Sequence, residues 1–66
     1  MPMTYRQVRA ALVLAGWTKV PQRGSHEKWR SPDGATHVVV AGRNSRTVHA
    51  GMLASMRRRT GLDHLR

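Results

Sequence analysis

Acid–base chemistry at neutral pH falls to histidine in this chain. The 66 residues hold four histidines, three carboxylates and no cysteine. Glu27, Asp33 and Asp63 are too few and too scattered for the acidic cluster of a two-metal nuclease or the paired acids of a glycosidase. Without cysteine there are no disulfides and no thiolate-bound zinc. The histidines stand at 26, 37, 49 and 64, with no metal-ligand spacing among them, so neither a metal nor another cofactor is expected.

One histidine stands apart. In Arg23-Gly24-Ser25-His26-Glu27-Lys28-Trp29-Arg30 an imidazole heads a strand-like segment rich in cations. Strand alternation puts His26, Lys28 and Arg30 on one face and Glu27 and Trp29 on the other. Imidazole, with an unperturbed pKa of about 6.5, can give or take a proton near working pH. Lys28 could contact a scissile phosphate, while Arg23 and the backbone amides of Gly24 and Ser25 could position neighbouring phosphates. This is the chemistry of phosphodiester cleavage without a metal. A strand histidine beside cations is nonetheless more often surface decoration, and the residues alone leave both readings open. His37, beside a run of valines, reads as a partly buried structural residue that could approach His26 across a hairpin. His49 and His64 read as solvent-facing.

Charge narrows the partner. Twelve lysines and arginines against three acids give a net charge of +9, spread along the chain as a charged surface and not gathered in a tail. Nucleic acid suits such a surface, because each neutralised phosphate releases a counterion. An acidic protein would also satisfy it. No membrane partner is expected, since neither helical segment sets a wide apolar face against a lysine-rich one. The longest apolar run, residues 10–16, is too short for a signal peptide or a span. The expectation is one cytoplasmic domain over residues 1–66, near the lower size limit for a single apolar core.

These residues need elements to hold them. Thr4 is a plausible N-cap for a helix over residues 5–15, with Tyr5, Val8, Leu12 and Ala15 as its apolar stripe, Arg6 and Arg9 on an exposed edge, and Gly16 as its stop. Strands are expected over 17–22, where Pro21 implies an early end or an edge, over 26–30, and over 36–40. Ser31-Pro32-Asp33-Gly34 makes the turn between the last two. A polar loop over 41–46 leads to a second helix starting at 47–50 and running through 59. There Leu53, Met52 and Met56 serve as core residues, and Arg57, Arg58 and Arg59 complement the helix dipole. Trp17 and Trp29 read as core. The order is helix, three antiparallel strands, helix: an α+β sandwich with both helices on one sheet face.

In that order the motifs resemble the HicA (YcfA-like) family. They are a first helix ending in Gly16-Trp17, Arg23-Gly24-Ser25-His26 followed by an aromatic, and the Ser31-Pro32-Asp33-Gly34 turn. A valine-rich strand follows, then a Gly51-x-Leu53-x-Ser55 helix ending near Thr60-Gly61-Leu62. The resemblance covers roughly residues 5–62. It implies an αβββα fold like that of double-stranded-RNA-binding domains. It also implies the toxin of a type II toxin–antitoxin system, a ribosome-independent endoribonuclease (mRNA interferase) that cleaves single-stranded mRNA. His26 matches the catalytic histidine of the Gly-Ser-His motif, acting as general acid or base, and a HicB-like antitoxin covers the active face. Two positions depart from the pattern: Met52 stands where members often carry threonine, and Ala41 where many carry proline. The competing reading is a non-catalytic RNA-binding module of the same fold. A helix-turn-helix DNA-binding protein is disfavoured by the strands between the helices.

Overall fold

The computed structural model describes residues 3–21, 24 and 26–65. The elements come in the expected order: α1 (Tyr5–Leu14), β1 (Thr18–Val20), β2 (Glu27–Arg30), β3 (His37–Val40) and α2 (Ala50–Thr60). The strands form one antiparallel sheet in the order β1-β2-β3.

α1 begins where a polar side chain can satisfy its first amides. Thr4 is extended, and its hydroxyl accepts from the Gln7 N–H at 3.3 Å while Gln7 Oε1 accepts from the Thr4 N–H at 2.8 Å, a reciprocal capping box. The Tyr5 and Arg6 N–H groups donate outside the helix, to the Arg46 and Asn44 carbonyls. At the other end Gly16 adopts φ +86°. Its N–H donates to the Val13 carbonyl at 3.0 Å, and the Trp17 N–H reaches the Leu12 carbonyl at 2.9 Å. That pair of bonds is a Schellman closure, which needs a left-handed residue.

The strands are shorter than expected. β1 stops at Val20 because Pro21 brings no N–H. The turn forms as read, with the Gly34 N–H donating to the Ser31 carbonyl at 2.9 Å. The Ser31 hydroxyl and the Ala35 N–H donate to the Asp33 carboxylate and hold its pKa below the usual value.

α2 starts at Ala50, later than the earliest expected position. Thr47 pairs instead with Thr4 in an isolated bridge, and Val48, 2% exposed, donates its N–H to the Met3 carbonyl at 2.7 Å. His49 Nδ1 accepts from the Gly51 N–H at 3.1 Å and so caps the helix. Gly61, at φ +73°, closes it.

Val8, Ala11 and Leu12 of α1, Leu53 and Met56 of α2, and Trp29, Val38 and Val40 of the sheet form one buried cluster. Both helices therefore cover the same sheet face, with Trp17, Val48 and Leu65 completing the core. Met52 does not join it: expected as core, it is 44% exposed, because the buried stripe of α2 is only as wide as Leu53 and Met56. No helix among the described residues is long and apolar enough to cross a membrane.

Candidate functional site

With one sheet face covered by helices, the other is left open, and the register states what it carries. Lys28 lies between Val20 and Val39, and Arg30 between Thr18 and His37. Trp29 pairs with Val38 on the opposite, buried side. His26 sits immediately before β2, and His26, Lys28 and Arg30 are all exposed. Three of the expected site residues thus lie together along one strand. Gly24 is exposed at φ +87° with open space where a Cβ would stand. Arg23 and Ser25 lie outside the described residues.

His37 is half-buried and pairs with Arg30, four residues along β2 from His26. That separation is roughly 13 Å between backbones by strand rise, yet both histidines line one hollow beside β3.

What fixes β2 at its histidine end is Glu27, the first residue of the strand. Alternation points it to the helix side, where Arg9 meets it: Nε donates to Glu27 Oε1 at 2.9 Å. The same guanidinium donates to Asn44 Oδ1 at 2.8 Å and to the Gly42 carbonyl at 2.7 Å, and it lies 5.7 Å from the Tyr5 ring centroid. Trp29 Nε1 adds a bond to Glu27 at 3.3 Å. Burial pushes the Glu27 carboxyl up, but the bonds from Arg9 and Trp29 and the charges of Arg9 and Lys19 outweigh it and hold the group below its ordinary value. Arg9, expected on an exposed edge, is in fact a half-buried hub with its side chain 18% exposed. The signal for it was available. A carboxylate that alternation turns toward the core requires a cation, and Arg9 is the α1 cation one turn beyond Tyr5 on the apolar stripe.

Among the described residues, hollows with shared lining follow one another along the molecule. One, of about 310 Å³, is lined by Lys19, Val20, Pro21, Gly24, His26 and Glu27. The second, of about 350 Å³, is a groove between the edge of β3 and α2, lined by His26, His37, Val39, Ala41, Met52 and Arg59 among others. The third, beside the β2–β3 turn, includes Asp33, Thr36 and again Arg59. His26 is thus shared by the first two, and Arg59 by the last two. Met52, Ser55, Met56 and Arg59, the α2 contribution to the groove, were invisible as site residues in the sequence, because nothing local says which strand α2 lies against.

No match was found among curated proteins or among solved structures. A family model described as the HicA toxin of bacterial toxin–antitoxin systems matches residues 5–62, which takes in both helices, all three strands and the histidine segment between β1 and β2. The chain therefore belongs to the HicA toxin family of bacterial toxin–antitoxin systems.

Proposed function

We propose that this toxin is an endoribonuclease that cleaves single-stranded mRNA without a metal, using His26 as general acid or general base, and that a HicB-like antitoxin silences it by covering the open sheet face. The observation that carries this reading is the exposure of His26, Lys28 and Arg30 on one face of β2 in a chain of the HicA toxin family. In the reaction the RNA 2′-oxygen, or a water oxygen, attacks phosphorus as it loses its proton. The P–O5′ bond breaks, and the departing 5′-oxygen takes up a proton. His26 serves one of these transfers, while water or a lysine serves the other. Lys28, two residues along the same face, balances the charge of the phosphorane, and Arg30, Arg23 and the amides of Gly24 and Ser25 hold flanking phosphates.

Acid–base groups of this kind contribute about 10²–10⁴-fold. The His26→Ala variant is accordingly expected to cleave a transcript 10²-fold more slowly or worse and to lose growth arrest, while RNA binding persists. Cleavage by the parent should continue in the presence of a chelator. Undiminished cleavage by His26→Ala would remove His26 from the mechanism. Salt-sensitive binding with no cleavage by the parent would identify a binding module instead.

A further inference from the structure

The groove between β3 and α2 has features that catalysis at His26 alone does not use. β3 is an edge strand. Because the Ser31 N–H bonds the Thr36 carbonyl, the hydrogen-bonded pairs of β2 and β3 are those of Trp29 with Val38 and Glu27 with Val40. The backbone N–H and C=O groups of His37 and Val39 are turned outward by the same alternation. They form donors and acceptors along one wall of the groove. Opposite stands Met52, an exposed thioether on α2, and at the far end stands Arg59. No carboxylate among the described residues lines this groove, whereas Asp33 lines the next hollow beyond Arg59.

We propose that this groove is the nucleotide subsite adjoining the scissile phosphate, holding one base of a single-stranded RNA against Met52 and Val39 and the next phosphate on Arg59. The proposal rests on the reading of the chain as an RNA-cleaving enzyme and adds where the substrate lies. His26 lines both this groove and the hollow formed with Lys19 and Pro21, so a strand crossing His26 has a place for a nucleotide on each side of the bond to be cut. The groove volume of about 350 Å³ falls within the roughly 300–1,000 Å³ of small-ligand sites. A flat, polarizable thioether contact and a valine suit a base face. The outward groups of His37 and Val39 suit its hydrogen-bonding edge. Arg59 supplies the cation for the following phosphate, and the Asp33 carboxylate ends the track there.

The test uses His26→Ala protein, expected to cut RNA about 10²-fold more slowly or worse, with its methionine methyls labelled for NMR. Adding the four nucleoside 5′-monophosphates, then a short single-stranded RNA, is expected to shift the Met52 methyl and leave Met3 in place. In the same background Met52→Glu should weaken RNA binding on the order of tenfold. Arg59→Ala should lower the dependence of log affinity on log salt by about 0.7. Arg58→Ala, the same charge change one residue away and outside the groove, should leave that slope unchanged. Both Met52 and Arg59 are exposed, so their variants are expected to fold. RNA binding with an unmoved Met52 methyl and an unaltered Arg59→Ala slope overturns the subsite, as does a Met52 shift that only a protein partner produces. Loss of cleavage in His26→Ala with no methyl shift removes the subsite and leaves the enzyme reading standing. A methyl shift in a protein whose parent cuts nothing supports the subsite and removes the enzyme reading.

Discussion

Glu27 has a partner on each side: Arg9 from α1 and Trp29 from its own strand. Its neighbour in sequence is His26, so the ion pair fixes the backbone from which the imidazole projects. Replacing Arg9 by methionine keeps the aliphatic stem but leaves a half-buried carboxylate without its cation, and should cost about 2 kcal/mol of stability. The pH dependence has a definite sign. The folded-state pKa of Glu27 lies below its ordinary 4.5, so its stabilisation is present above that value and is lost as pH falls through the lower folded pKa. Acid unfolding followed for the parent and for Glu27→Gln should show a stability gap above about pH 4.5 that closes as the pH drops below it. A gap that widens with acid would contradict the assignment. The face shared by His26, Lys28 and Arg30 was legible in the sequence because strand alternation has a period of only two. Arg9 was less legible, because its carboxylate lies 18 residues away and pairing across that distance is decided by how α1 crosses the sheet.

At the level of elements, the caps were readable and the ends were not. Thr4 and Gly16 announce α1 by residue type alone, and both act as expected. The start of α2 falls at the late end of the expected 47–50, because Thr47 and Val48 are taken up by Thr4 and Met3 near the other end of the chain. Gly16 offers a sharp test of the α1 closure. A Cβ there would sit 3.1 Å from Pro32 Cγ on a left-handed backbone, so Gly16→Ala should lose about 1–2 kcal/mol, measured by denaturant unfolding. A neutral result would mean that the Schellman closure does not set the helix end. The same closure brings Trp17 under the sheet with Leu12, both buried. The strain would therefore reach the core and not only the turn.

On the scale of the whole molecule, 66 residues leave little margin. Each buried side chain is a large share of a stability that runs about 0.05–0.15 kcal/mol per residue. Leu65, in the segment after α2, is fully buried, and its carbonyl accepts from Arg57 at 2.7 Å. The short tail is thus part of the core, a role that its apolar residues hint at and that only the packed fold makes definite. Leu65→Ala should cost about 2–5 kcal/mol, seen as a large drop in the unfolding midpoint or as failure to fold. A change within about 0.5 kcal/mol would show the tail to be dispensable. Charge acts at this scale too. The +9 balance suits both partners of the proposed function, an antitoxin and RNA, which on that proposal compete for one face.

The loop that caps α1 carries a consequence for the RNA cleavage proposed for this toxin. The first four amides of α1 are all occupied, by the carbonyls of Arg46, Asn44 and Thr4 and by the Thr4 hydroxyl. The positive end of this helix, a ready anchor for phosphate in many proteins, is therefore spent on holding the protein's own loop. In the proposed function, grip on the RNA then falls to strand and loop backbone groups and to separate side chains, and each of those side chains is replaceable by a single codon change. With His26 in the proposed role, substrate preference can drift, position by position, while the scaffold and that histidine stay where they are.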